Sequence, residues 1–386
     1  MLVTINKMKN PKNKIYFEHL DVVRFIAAFM IIILHSYEAW CSWYGEVGIL
    51  SGGTYKELTN QGRFVDQFIR NLGVGVDIFF LISGFLITYI LLEEKKRYNT
   101  IQIKNFIIRR TLRIWPLYLL IIGIAPFLVS WLDTSTPDYL ANVFFIGNFE
   151  TIDSKTWTYP FAHFWSICIE EHFYLIWPFV ILLVPNKKLL ASFGILIFLS
   201  ISFRLWTSYS METPWYTLFL HTISRIDVLV IGAIGAYFYS KKPFFVTLNR
   251  TTRILLLSIL IISLAIEPIV LWDTPFLAGF KKFFFIGIIA ILLLDYNFNP
   301  KFKHFLNKKS FIHYLGKVSY GIYMYGNILL LIIIKKIMWE FQINNIWIFF
   351  LIVTCLSLII PIISYELFEK QILKLNKRFR VIETER

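Results

Sequence analysis

Residues 20–37 read LDVVRFIAAFMIIILHSY, an apolar run long enough to enter a bilayer that still carries Arg24 near one end and His35 near the other. The two residues are 11 apart in sequence. At ~100° per helical residue this is three turns plus ~20°, so both project from one face, ~16 Å apart along the axis. Ionisable groups are costly inside a membrane and usually face a protein interior or a wet cavity. Taken singly, Arg24 could snorkel to the headgroups and His35 could sit in the interface. Their shared face predicts instead a polar path through most of the membrane.

The rest of the chain agrees with a membrane setting. Of 386 residues, 57% are hydrophobic, and 38 phenylalanines are more than a soluble core of this size needs. Ten apolar spans are predicted, roughly 20–37, 73–92, 112–132, 164–184, 189–208, 224–240, 254–272, 280–294, 318–338 and 346–365. The fold expected is all-α and polytopic, with about ten transmembrane helices and both termini cytoplasmic. Lysine and arginine concentrate in alternate connections (Lys95, Lys96, Arg97, Lys187, Lys188, Lys241 and the tail from Lys370 to Arg380), which sets the cytoplasmic side. The net charge of +14 is therefore a topology signal with some attraction for anionic membrane lipid, and no nucleic-acid partner is expected. The domain reading is a cytoplasmic leader over 1–19, a membrane domain over 20–369 and a basic tail over 370–386. No small-residue cleavage pattern follows the leader, so the first span reads as a retained anchor. Three scattered cysteines leave room for one outer disulfide, Cys41–Cys168, and show no metal spacing. No metal is expected. The outer segments 38–72 and 133–163 carry Trp40, Trp43, Tyr44, Tyr55, Trp157 and Tyr159, which suit an interfacial belt or a sugar-stacking surface.

Polar residues punctuate the spans at a few places. In GVGVDIFFLISGF, Asp77 would be expensive unpaired, so Arg24 or Arg225 is its expected partner. Ser83 and Gly84 lie deeper, where Gly84 would let a helix or ligand approach closely. In FIIRRTLRIWPLYLL, Arg110 and Arg113 are one helical turn apart and suit either topogenic charge or bidentate phosphate recognition. The densest cluster is HFWSICIEEHFYLIWP, with Glu170 and Glu171 adjacent, Tyr174 one turn on, and His163 and His172 close by. Two carboxylates there can serve as helix-terminus charge or as an acid–base pair. Arg225 and Asp227 could form a local pair, and His304 and His313 read as solvated. Walker A, dinucleotide-glycine and GxSxG patterns are absent.

Together these stretches resemble the acyltransferase-three family, integral-membrane O-acyltransferases of bacterial surface polysaccharides and related acceptors. The resemblance runs from Leu20 to about Glu369 and rests on LDVVR with a histidine 11 residues after the arginine, GVDIFFLISGF, RRTLRIWPLY, FWSICIEEHFYLIWP and LGKVSYGIYMY. The family's arginine–histidine motif falls on Arg24 and His35, its Arg-x-x-Arg on Arg110 and Arg113, its paired glutamates on Glu170 and Glu171, and its serine-glycine-phenylalanine on Ser83 to Phe85. Three departures stand out. His172 replaces the usual glutamine, Gly326-Asn327 occupies the place of a usual histidine, and Lys370-Gln371 follows Glu369 in place of arginine-proline. Some members carry a further soluble domain after the last span; this chain stops soon after it, so one catalytic domain is expected to suffice.

The resemblance implies transfer of an acyl group, most often acetyl, from cytosolic acyl-CoA to a hydroxyl of a cell-envelope carbohydrate such as O-antigen, capsule or exopolysaccharide, in a bacterial inner membrane. Acyl-CoA would be a donor substrate rather than a resident cofactor, and the acceptor could be a lipid-linked sugar. His35 would act as general base or carry the acyl group briefly. Glu170 or Glu171 would orient it, Arg24 would stabilise the oxyanion, and Arg110 and Arg113, with Ser83 and Gly84, would hold the donor. Asp77, Tyr174 and Arg225 would support the site. The rival readings are a transporter or flippase of a lipid-linked sugar or acylated product, which intramembrane charge also suits, and a non-catalytic scaffold. The missing matched pair of broken helices counts against transport.

Overall fold

The fold is seen in a computed structural model, which describes residues 17–44, 60–241, 247–266, 275–299 and 310–381. Along the described residues the chain forms α1 (Glu18–Tyr44), α2 (Asn60–Asn71), α3 (Val74–Tyr98), α4 (Ile103–Leu132), α5 (Tyr139–Val143), α6 (Gly147–Ser154), α7 (Trp165–Leu183), α8 (Leu189–Ser210), α9 (Trp215–Leu220), α10 (Thr222–Lys241), α11 (Arg250–Ile266), α12 (Pro275–Phe298), α13 (Phe311–Ile333), α14 (Ile346–Ser364) and α15 (Lys370–Leu375). Wider π turns extend α13 over Ile334–Met338 and α14 over Tyr365–Glu369. The protein is an all-α, multi-pass membrane protein. Among the described residues eight segments are long and apolar enough to cross a bilayer: His19–Ser42, Val65–Tyr98, Ile103–Leu132, Trp165–Leu183, Leu189–Ser210, Trp215–Lys241, Phe311–Met338 and Ile346–Phe379.

Eight of the ten expected spans fall in these segments. The seventh and eighth correspond to α11 and α12, which pack against α2, α8 and α10 in the same bundle. The described part of α11 has 17 residues, and α12 carries Lys281, Lys282 and Asp295 within its apolar run. Residues 267–272 of the seventh expected span lie outside the described residues, as do Tyr55, His304 and the leader up to residue 16. The expected outer segments are not plain loops, since α2, α5, α6 and α9 fold within them. Cys41, Cys168 and Cys355 are free thiols, so the Cys41–Cys168 disulfide is not formed.

Two helix pairs, α3 with α10 and α1 with α13, form the centre. Glycines set their spacing. A Cβ on Gly84 would overlap the Leu229 carbonyl, and one on Gly232 would overlap the Leu81 carbonyl, so α3 and α10 touch backbone to backbone. Gly316 meets the Asp21 carbonyl in the same way and seats α13 on α1. Gly84 thus serves a helix, not a ligand, because the α10 backbone fills the space its missing side chain leaves.

Buried charge ties α3, α8, α10 and α12 together near the N-terminal ends of α3 and α10. Asp77 meets Arg225 at 2.8 Å and Lys282 at 2.9 Å, while Arg204 meets Asp227 at 2.8 Å and donates to the Ser224 carbonyl at 2.7 Å. The Arg225 guanidinium also lies over the rings of Phe219 and Trp165, 5.2 and 5.4 Å from their centroids. Arg24 is not the partner of Asp77; it pairs with Asp21, one turn back on α1, at 2.9 Å. Arg225 and Asp227 do not pair with each other, because residues two apart point away from each other on a helix.

Candidate active site

Three cavities line up between α1, α4, α7, α13 and the tail. The middle one, of about 660 Å³, is bounded by Arg24 of α1, Ser83 of α3, Arg110 and Arg113 of α4, and Glu170 and Tyr174 of α7. Tyr320 and Tyr323 of α13 close its remaining side. Ser83 Oγ donates to Glu170 Oε1 at 2.6 Å and accepts from the Tyr174 hydroxyl at 3.2 Å, which locks the carboxylate to α3. Arg110 lies over the Tyr174 and Phe106 rings at 5.6 and 5.8 Å. Among the described residues neither Arg110 nor Arg113 has an ion-pair or hydrogen-bond partner. A guanidinium has five donors, so two of them side by side and unbonded leave this cavity short of negative charge.

Arg113 also lines a larger, basic cavity of about 1130 Å³ that includes open space outside the bundle. Lys317, Lys370, Lys374, Lys377 and Arg380 surround it, against only Asp21 and Glu366. The tail is held here by Arg109, which donates to the Phe379 carbonyl at 2.6 Å. At the other end, Tyr323 stands between the middle cavity and a narrow one lined by His35, His163, Gly326, Asn327 and Ser357, with little enclosed space. Its hydroxyl donates to the His163 carbonyl at 2.9 Å and lies 2.7 Å from Ser166 Oγ. The predicted common face of α1 is visible here: Arg24 lines the middle cavity and Ala28, Ile31, Ile32 and His35 line the narrow one. Arg113 borders both the basic and the middle space, and Tyr323 both the middle and the narrow one, so the three lie in series.

The carboxylate beside His35 is Glu38, whose Oε2 lies 3.3 Å from Nδ1, and not Glu170 or Glu171. One turn along the same helix is a shorter reach than the width of the middle cavity, where Glu170 is held by Ser83. Glu171, one residue on and turned by ~100°, accepts from Trp115 Nε1 at 3.1 Å and does not line the middle cavity. His172 turns away as well, bonding Thr222 Oγ1 at 2.8 Å and stacking on Phe149. Sequence reasoning passed over Tyr323, Ser166, Glu38 and the lysines of the basic cavity. The i, i+3 spacing of Tyr320 and Tyr323, and of His35 and Glu38, was the available signal.

Residues 17–366 match the family profile of an acyltransferase domain. The chain belongs to that acyltransferase family. Among curated relatives, it is 31% identical over 277 residues to the peptidoglycan O-acetyltransferase OatA of Listeria monocytogenes, an alignment covering 65% of this chain and 44% of that protein. It is 26% identical over 349 residues to the O-acetyltransferase OatA of Staphylococcus aureus, covering 83% of this chain and 51% of that protein. The chain thus spans about half the length of these relatives. No solved structure matches it. Within this chain, Arg24, Ser83, Arg110, Arg113, Glu170 and Tyr174 come together in the middle cavity and His35 lines the narrow one next to it, whereas Asp77 and Arg225 belong to the buried ion-pair network and Gly84 to helix packing.

Proposed function

We propose that this chain is a bacterial inner-membrane O-acetyltransferase that moves an acetyl group from acetyl-CoA, admitted from the cytoplasm at the basic cavity, to a hydroxyl of an envelope carbohydrate at the narrow cavity. The observation that carries this reading is the unpaired Arg110 and Arg113 in a cavity that shares Arg113 with the basic cavity and Tyr323 with the cavity lined by His35. Arg113, Lys317, Lys370 and Lys374 meet the donor's phosphates, since planar forks and ammonium groups both bind phosphate oxygen. The slender pantetheine arm follows the middle cavity past Arg24 and Arg110, and the thioester comes to rest near Tyr323. There the acceptor oxygen attacks the thioester carbonyl carbon, a C–O bond forms and the C–S bond breaks. The hydroxyl proton passes to His35, whose Nε2 is free to take it when Nδ1–H faces Glu38. CoA leaves as thiolate into the arginine-lined cavity, where positive charge favours it. The names of the relatives favour a wall glycan as acceptor.

The test is release of free CoA by the full chain in nanodiscs, with acetyl-CoA and solubilised wall glycan, His35→Ala run in parallel. Release that needs the glycan and is lost in the variant is the expected result. Movement of unmodified glycan across the membrane without CoA release would overturn the reading in favour of transport.

A further inference from the structure

Glu38 is held from a second side, by a helix that lines none of the three cavities. Arg70 of α2 turns Nη1 to Glu38 Oε1 at 3.9 Å, while Glu38 Oε2 faces His35 Nδ1 at 3.3 Å. The two oxygens of one carboxylate thus meet the base and a cation. Among the described residues no other lysine or arginine lies within ion-pair distance of Glu38.

Arg70 is itself fixed. Its Nε donates to both oxygens of Asp66, at 3.1 and 2.9 Å, one turn back on α2. Asp66 is fully buried and also accepts from the Tyr37 hydroxyl of α1 at 2.8 Å. The Arg70 guanidinium lies over the Tyr37 ring, 5.9 Å from its centroid. At its end α2 is tied to α11, where Asn71 Nδ2 donates to the Leu264 carbonyl at 2.8 Å. The guanidinium is therefore a fork with one edge spent on Asp66 and another directed at Glu38.

Glu38 needs such a hold. Its side chain is 43% exposed, so it is free to turn to water unless its charged contacts keep it in place. A carboxylate that leaves His35 takes away the acceptor for Nδ1–H, and with it the tautomer that keeps the Nε2 lone pair for a proton. Balancing Asp66 does not require the Nη1 contact, because Nε alone makes both bonds to it.

We propose that Arg70 is a positioning residue: anchored on Asp66, it holds Glu38 against His35 and so keeps the base in the tautomer that takes the acceptor's proton. This rests on the acetyl-transfer reading above, with His35 as base. Arg70 touches no substrate and acts only through Glu38.

The experiment is a double-mutant cycle in kcat, read as CoA release by the full chain in nanodiscs with saturating acetyl-CoA and wall glycan. Arg70→Gln is compared with wild type, and Arg70→Gln/Glu38→Ala with Glu38→Ala. The first comparison should show a loss of about 3- to 5-fold, the upper range for a half-exposed ion pair, with KM for acetyl-CoA unchanged. The second should show less than about 1.5-fold, since no carboxylate is left to hold. Arg70→Lys, which keeps one charge for the two carboxylates, should recover part of the loss. If Arg70→Gln fails to fold because Asp66 is left unbalanced, the cycle is run with Asp66→Asn/Arg70→Gln, which removes both charges. A purely structural α2 lowers kcat by the same factor with and without Glu38, and that result would overturn the proposal. So would wild-type kcat in Arg70→Gln or in Glu38→Ala. A wild type that releases no CoA with the glycan overturns the acetyl-transfer reading instead.

Discussion

Two groups of arginines are set into this bundle, and they differ in what faces them. Arg204 and Arg225 are wholly enclosed, each 2.8 Å from an aspartate, and Lys282 completes the set. Arg110 and Arg113 lie only a few helices away, in the middle cavity, and neither has a carboxylate within ion-pair distance among the described residues. Charges taken out of water need opposite charge or a route back to it. The first group has the former, so it holds α3, α8, α10 and α12 in register. The second has the latter at Arg113, which also borders the basic cavity and its open space, so its unmet charge is available to an anionic ligand. Burial of an arginine in a membrane protein is thus weak evidence for function; burial without a partner, beside an open cavity, is stronger.

The contrast can be broken by substitution. Arg225→Gln should cost the most in stability, about 3–5 kcal/mol, because Asp77 is left beside Lys282 alone and the aromatic cage loses its cation. Thermal unfolding of the detergent-solubilised protein reads it, and an unchanged midpoint would mean the network is not structural. His35→Ala should leave the midpoint and CoA binding alone but lower acetyl transfer by about 10²- to 10⁴-fold, the range that general-base chemistry supplies. Full activity in this variant would remove the base from His35. Glu38→Gln should have the smallest effect, a loss of about 10-fold or less in kcat with KM for acetyl-CoA unchanged, since the amide can still accept from His35 Nδ1–H but does not stabilise the imidazolium that forms. A larger loss than that of His35→Ala would assign the chemistry to Glu38.

The same contrast explains what the sequence could and could not reveal. Apolar runs locate the long helices, because length and hydrophobicity are local properties, and the 11-residue spacing of Arg24 and His35 fixes their common face whatever packs against them. Partnership is not local. Asp77 had two arginines to choose between, and the choice fell to Arg225 because Gly84 and Gly232 let α10 lie directly on α3. Helix α1, which also touches α3 at Gly75, directs Arg24 to Asp21 and the middle cavity. Glu170 and Glu171 look like a pair in sequence, yet ~100° of helix rotation sends one to Ser83 and the other to Trp115. The basic cavity draws on α1, α4, α13, α14 and the tail, and no single stretch contains its pattern. Short helices α2, α5, α6 and α9 escaped because segments of 5–12 residues leave little periodicity to read.

The role of the unpaired arginines can be measured without any knowledge of the acceptor. Binding of CoA to the full chain in nanodiscs, by titration calorimetry at low salt, is compared between wild type and Arg113→Gln, with unfolding midpoints recorded for both. The wild type should bind CoA, and Arg113→Gln should bind it about 10-fold more weakly at an unchanged midpoint, with the difference shrinking as salt screens the phosphates. Equal affinity in the two proteins, or no CoA binding by folded wild type, would contradict a donor site at Arg110 and Arg113.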